Sequence, residues 1–322
     1  MTPITPQLDL LVIGDLNFDY LGRIPFFPKA DEEVEIAPLD GYLGGSGANA
    51  AVVATRLGLS VDFYSAVGQD VSGTGLINLL TQAGVPADHI KTVKNVPSGM
   101  VFGLIDTDGD RRLFCFRGAN LELYPQDISD ETITAAKRLH LNGPEYNIAL
   151  DLLTRSRKLG VPNSMDPGSI LIGEHADEMG PILAQTDVLF VNHVEFANLT
   201  KGGDDLERAA WLHRTGVKWV VLKNGEQGSQ LFSADAGAVS VPAFEIHAVD
   251  ATGAGDAFNA AFLYALIHHF EVPEILKFAN AVGAMAASAV GATSGVPGTI
   301  EPVWYFIRSK KQRSQPPQQH HQ

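Results

Sequence analysis

Short apolar runs that alternate with amphipathic segments constrain this chain's fold more than any other feature. Residues 8–14 read as a buried strand ending in a glycine turn, and 61–66, 138–141, 161–165, 188–191 and 219–222 as further short apolar strands. Between them, 46–57, 147–159, 174–184 and 206–215 have helical character. Strands separated by helices of this length predict βαβ units, hence a parallel sheet with helices on both faces. Two stretches break the rhythm. Residues 33–42 and 100–116 alternate in polarity with no helix beside them, and Asp106-Thr107-Asp108-Gly109-Asp110 looks like a hairpin connection. They predict a small β unit projecting over a ligand site. In open α/β sheets ligands lie at the carboxyl ends of strands, which singles out residues 15–19, 142–145, 166–169, 192–195 and 223–228, all polar junctions.

Composition narrows the partners. With 322 residues, 45% of them apolar, the chain can bury a large core and is not a disordered protein. A formal charge of −14 excludes a nucleic-acid backbone as partner but not a nucleotide, which backbone dipoles and a metal ion can hold. No apolar run approaches a bilayer span, and the N-terminus lacks the basic-then-apolar pattern of a signal peptide. The single cysteine, Cys115, cannot form an internal disulfide, so a reducing cytoplasm is the expected compartment. Cys115 lies in the alternating run 111–117 and reads as a packed strand residue. Residues 309–322 are polar and Pro/Gln-rich and read as a disordered tail, with no role for His320 or His321.

The most informative motif is Asp250-Ala251-Thr252-Gly253-Ala254-Gly255-Asp256, which runs straight into the apolar segment 257–266. Gly253, Ala254 and Gly255 leave backbone N–H groups uncovered where a helix begins, a site for phosphate or another anion. A carboxylate there repels a phosphate, so Asp256 reads as a general base beside a phosphoryl group, and that points to a kinase. A plain capped turn carries the same residues, since an Asp in a first helical turn gives about 0.3–1 kcal/mol without any chemistry.

A second motif decides between these readings. Gly44-Gly45-Ser46-Gly47-Ala48-Asn49, continued by Ala50, Ala51, Gly58 and Gly68, and the Asp250–Asp256 segment occur together in the order and spacing of the ribokinase, or PfkB, family of carbohydrate and nucleoside kinases. The chain resembles that family over residues 8–300. The resemblance implies a ribokinase-like three-layer α/β/α domain over 1–308, with a mostly parallel central sheet and a β lid from about 20–43 and 98–118. It implies Asp256 as catalytic base, with the amides of Gly253, Ala254, Gly255 and Asp256 as an anion hole. Asp19, Asn17, Gly44, Gly45, Asn49, Asn120 and Glu145 would meet the acceptor. Asn192, Glu195, Lys223, Gly225, Gly228, Gly253, Gly255, Asn280, Ala284 and the Gly291-Ala292 turn would meet ATP. Magnesium would sit by Glu195, through water, and potassium by Asp250 and the backbone near Val290. Family members also pair through their lids, which implies a homodimer. One departure stands out: the family carries Thr or Ser directly after the first Asp of the second motif, and this chain has Ala251.

The segment Met165-Asp166-Pro167-Gly168-Ser169 lacks the Asn and Arg of the family's keto-deoxy sugar acid kinases. Without that Arg an acidic sugar has no carboxylate clamp, and no basic pocket for a phosphorylated sugar is evident. The expected reaction is ATP-dependent transfer of the γ-phosphate to a hydroxymethyl group of an uncharged pentose or hexose. A nucleoside kinase is the alternative, and a catalytically silent sugar-binding protein on the same fold is the alternative of another class. A dinucleotide enzyme does not fit, because the turn Gly14-Asp15-Leu16-Asn17 after the first strand lacks the required glycine fingerprint.

Overall fold

The computed structural model describes residues 7–235 and 237–313. In chain order the strands are β1 (Leu8–Gly14), β2 (Asn17–Arg23), β3 (Leu39–Gly44), β4 (Val61–Gly68), β5 (Ile90–Val93), β6 (Gly99–Ile105), β7 (Arg111–Phe116), β8 (Ala136–Asn142), β9 (Asn163–Asp166), β10 (Val188–Asn192), β11 (Trp219–Lys223), β12 (Ser229–Ser233) and β13 (Gly237–Val241). The helices are α1 (Ser46–Arg56), α2 (Val71–Gln82), α3 (Asp130–Thr134), α4 (Tyr146–Leu159), α5 (Gly168–His175), α6 (Gly180–Leu183), α7 (His193–Thr200), α8 (Asp205–Thr215), α9 (Ala254–Ile267), α10 (Val272–Ala287) and α11 (Glu301–Ser309).

A nine-stranded sheet runs in the order β13-β12-β11-β10-β9-β8-β1-β4-β5. It is parallel from β11 to β5, and β12 and β13 add antiparallel at one edge. The period-two alternation of β1 builds both cores. Leu10 and Val12 face one core with Ala50 and Val53 of α1, Phe262 of α9 and Phe278 of α10. Leu11 and Ile13 face the other with Leu152 of α4, Phe196 of α7 and Leu212 of α8. The fold is thus a three-layer α/β/α domain. From β1 the chain proceeds outward to β4, whereas from β8 it proceeds the other way to β9. The crevice where those directions diverge, at the carboxyl ends of β1 and β8, is where such sheets bind ligands.

The lid is a second sheet, β3-β2-β6-β7, with β2 parallel to β6 and the other pairs antiparallel. Asp19 therefore lies within a strand, opposite Tyr42 and Val101, not in a loop after β1. The region read as one helix over 174–184 is broken into the end of α5, a tight turn at Ala176–Glu178, and α6. Pro181 at the start of α6 lacks the N–H that a continuous helix needs. Cys115 is exposed on β7, so it is not a packed strand residue. The tail boundary also moves. After α11, Lys311 accepts a hydrogen bond from the Glu245 amide at 2.9 Å, and the Arg313 amide donates to the Ala243 carbonyl at 2.8 Å. The rest of the expected tail, with His320 and His321, lies outside the described residues.

Candidate active site

Gly253 begins α9 with a left-handed φ of 71°, and a Cβ there would overlap Ala292. Among the described residues the amides of Gly253, Gly255 and Asp256, at this helix start, have no protein acceptor. The Ala254 amide instead donates to the Ala251 carbonyl at 3.3 Å. Asp256, in the first turn, accepts hydrogen bonds from Asn49 Nδ2 at 2.9 Å and Asn142 Nδ2 at 3.1 Å. Burial pushes its carboxyl up to about 6, with Asp166 adding repulsion and Asn49, Lys223 and Asn142 opposing. That value leaves the carboxylate ionised at neutral pH yet basic enough to accept a proton. The sequence points to the junction after β8, residues 142–145, but assigns Asn142 no role in the site.

Beneath Asp256 lies an ion pair. Lys223 Nζ donates to Asp166 Oδ2, and Asn259 Nδ2 donates to the same oxygen at 2.7 Å. Burial would raise the Asp166 carboxyl, but the Lys223 charge and these hydrogen bonds outweigh it and hold the group low. Burial likewise opposes the Lys223 charge, and Asp166 with Glu195 keeps it raised. A Cβ on Gly255 would come within 3.3 Å of Lys223 Nζ, so the ammonium borders the amide turn. Glu195 is buried, accepting from the Asn192 amide at 2.9 Å and from Ser169 Oγ at 3.0 Å, while Asn192 Oδ1 caps α7. Burial, then Asp166, pushes the Glu195 carboxyl up. A buried carboxylate crowded by another acid is a group that a cation relieves. The donor set therefore fits magnesium held by Glu195 through water.

The lid closes the other side. Asp19 is 7% exposed, and its carboxyl is pushed up to about 7 by burial, then by Asp256 and Asp250. Its Oδ1 and the Oδ1 of Asn49 are buried with no hydrogen-bond donor among the described residues. Gly44 makes room for this arrangement, since a Cβ there would overlap the Asp19 carboxylate. Asn17 gives its Oδ1 to Asn120, and Asn120 goes elsewhere. Asn120 donates to Asn17 Oδ1 at 2.7 Å and to the Arg117 carbonyl at 2.9 Å, and accepts from the Leu16 amide at 2.9 Å and Ser65 Oγ at 3.3 Å. Two donors and two acceptor sites are then spent, so Asn120 anchors the base of the lid and has nothing left for a ligand. Glu145 forms an ion pair with Arg117, whose guanidinium also lies 3.6 Å from Asp15.

A cavity of about 250 Å³ continues from the amide turn. The expected Lys223, Gly225, Gly228, Gly255, Asn280 and Ala284 line it, together with Phe244, Ile246, Phe258, Gly283 and Arg313, which sequence did not suggest. Its apolar walls and small residues suit a flat base. Gly291 lies nearby through a different contact, its amide donating to Asp250 Oδ2 at 3.0 Å. The Thr252 amide and hydroxyl both donate to Asp250 Oδ1, at 2.9 and 2.6 Å, so Thr252 supplies the hydroxyl missing at Ala251. Arg111 of the lid donates to Thr252 Oγ1 at 2.6 Å and stands 3.5 Å from Asp250. A carboxylate so occupied and already facing a guanidinium does not fit a potassium site.

Residues 7–298 match the pfkB family carbohydrate kinases. The chain belongs to this family. An ATP-dependent ribose-1-phosphate kinase of Halopiger xanaduensis is 31% identical over 285 residues, covering 88% of this chain and 94% of the relative. A nucleoside kinase of Methanothermobacter thermautotrophicus is 30% identical over 301 residues, covering 92% and 95%. The solved ribokinase of Arabidopsis thaliana in complex with ribose and ATP superposes with a TM-score of 0.83 at 28% identity, covering 94% of this chain and 99% of the other. This pfkB-family member is therefore a phosphotransferase of the sugar and nucleoside kinase type, with the ribokinase fold.

Proposed function

We propose that this kinase transfers the γ-phosphate of ATP to the hydroxymethyl group of an uncharged, ribose-like sugar. One observation carries the acceptor class. Among the described residues, Asp19 Oδ1 and Asn49 Oδ1 are buried acceptors without donors, beside the Asp256 carboxylate. Unsatisfied buried acceptors cost about 1–3 kcal/mol each, and adjacent sugar hydroxyls are the donors that relieve two at once. Asp256 takes the proton of the attacking hydroxyl as its oxygen bonds to the γ-phosphorus, and the bond to the ADP oxygen breaks. The free amides of the Gly253–Asp256 turn, with Lys223 beside them, stabilise the charge that develops on the transferred group. When bound, magnesium neutralises phosphate charge from the side of Asn192 and Glu195.

Arg117 does not make the pocket basic. Its charge is met by Glu145 and Asp15, and Asp19 adds a further acid, which favours a polyhydroxyl acceptor over a phosphorylated one. A nucleoside acceptor is the second reading, favoured by the 30% identical nucleoside kinase. Exposed Leu113, Phe114 and Phe116 along the edge strand β7 support a homodimer through the lid. The test is ADP release from ATP with ribose, adenosine and ribose 1-phosphate offered separately, and with Asp256→Asn as control. Ribose should be preferred, and the variant should lose about a hundredfold to ten-thousandfold in turnover. Preference for ribose 1-phosphate would overturn the acceptor assignment, and tight sugar binding without transfer would make the protein a silent binder.

A further inference from the structure

The nucleotide cavity has a wall made by the last described residues of the chain. Beyond α11 the backbone pairs with residues 243–245, Gln312 Nε2 donates to the Pro242 carbonyl at 2.9 Å, and Arg313 reaches the cavity lining. There its guanidinium donates to Glu226 Oε2 at 2.7 Å. The other polar side chains of the lining are Lys223 and Asn280. Lys223 is engaged by Asp166, and Asn280 directs its amide hydrogens to the carbonyls of Val241 and Pro242 at 3.1 and 3.4 Å. Lys223 keeps its remaining donors at the amide turn, where it borders Gly255; away from that turn Arg313 is, among the described residues, the lining side chain with N–H donors to spare, since a guanidinium carries five and this one gives one to Glu226.

We propose that Arg313 and Glu226 together read the edge of the donor nucleotide's base and select adenine over guanine. Adenine presents an acceptor, N7, beside a donor, the N6 amino group, whereas guanine presents two acceptors, N7 and O6. An arginine held against a carboxylate offers a donor and an acceptor side by side, the complement of adenine. A bare arginine pairs with guanine N7 and O6, so the discrimination comes from Glu226, whose oxygens would face O6, a repulsive pairing that needs no steric block. The cavity walls of Gly225, Gly228, Phe244 and Ala284 carry no side-chain hydrogen-bonding groups, and Asn280 offers its Oδ1 alone, so the adjacent donor and acceptor for a base edge come from Arg313 and Glu226.

The inference rests on the kinase reading, and its test separates the two. Binding of non-hydrolysable ATP and GTP analogues to the full chain is measured by isothermal titration, without acceptor. The parent should bind the ATP analogue at least about tenfold more tightly than the GTP analogue, and Arg313→Ala should weaken the ATP analogue about tenfold. Glu226→Gln, whose amide can turn its N–H2 toward O6, should bring the ATP-to-GTP ratio toward one. Both side chains are exposed, at 39% and 77%, so neither substitution threatens the fold. Parental ATP affinity in Arg313→Ala, or a ratio unmoved by Glu226→Gln, overturns the assignment while leaving the kinase intact. A parent that binds neither nucleotide overturns both.

Discussion

Replacing Asn142 by Leu should move the acid limb of catalysis upward by about one pH unit. The Asp256 carboxyl stands at about 6 because burial raises it while Asn49, Lys223 and Asn142 hold it back. Asn142 donates at 3.1 Å, and a hydrogen bond to a charged group is worth about 1.5–3 kcal/mol. At that length, in a cleft partly open to water, the lower end applies. It corresponds to roughly one pKa unit, since a unit equals about 1.4 kcal/mol. Losing a donor to the ionised form raises the pKa, so less base is available at a given pH. At pH 6 the ionised fraction falls from about one half to about one tenth, and kcat/KM relative to each protein's own plateau drops about fivefold. Leu repeats the branched shape of Asn with the same number of side-chain heavy atoms. The variant also removes the donor to the Ser46 carbonyl at 3.0 Å, a fold cost of about 1 kcal/mol that thermal unfolding would register separately. The assay is initial-rate ADP formation at low acceptor from pH 5 to 9, quantified by chromatography. An acid limb that stays in place or moves to lower pH would refute the assignment of the Asn142 amide as a tuning group and of Asp256 as the titrating base.

Three further outcomes follow from the same geometry. Gly44→Ala places a methyl group on the Asp19 carboxylate, so the acceptor KM should rise tenfold or more while ATP binding is retained; an unchanged acceptor KM would separate Asp19 from substrate. Lys223→Met leaves Asp166 buried and unpaired, which should cost about 3–5 kcal/mol in denaturant unfolding. Adding Asp166→Asn should recover most of that loss, and a double variant no more stable than the single would count against the pair. Asp19 carries a folded-state value of about 7 against an ordinary 3.8, so its contribution to stability is fully present below about pH 4 and is lost as pH rises to about 7. Asp19→Asn should flatten the stability profile across that window, by an amount on the order of a few kcal/mol, and a profile identical to the parent's would contradict the buried, unpartnered state of this carboxyl.

What the sequence could and could not disclose divides along the range of the interaction. The parallel strands β1, β4, β8, β10 and β11 are visible because a strand buried on both faces must be apolar throughout, whatever its neighbours do. Strand β2 is not visible, because Asn17 and Asp19 are buried polar residues whose burial makes sense only once Gly44 and Asn120 are placed beside them. The amide turn is legible, since glycines and a helix start are local matters. Asn142, Asp166 and Asn259 are not, because their roles rest on partners 114, 57 and 93 positions away in the chain. The same reasoning explains Asn120: its type suits a sugar ligand, but contacts to residues 16, 17, 65 and 117 exhaust it. At the C-terminus polar composition misleads in the opposite sense. Backbone pairing needs no apolar side chain, so Lys311–Arg313 can hold a strand-like register against residues 243–245 while reading as tail. Local chemistry thus points to the class of reaction, and the proposed acceptor, nucleotide choice and pH range rest on the long-range polar contacts.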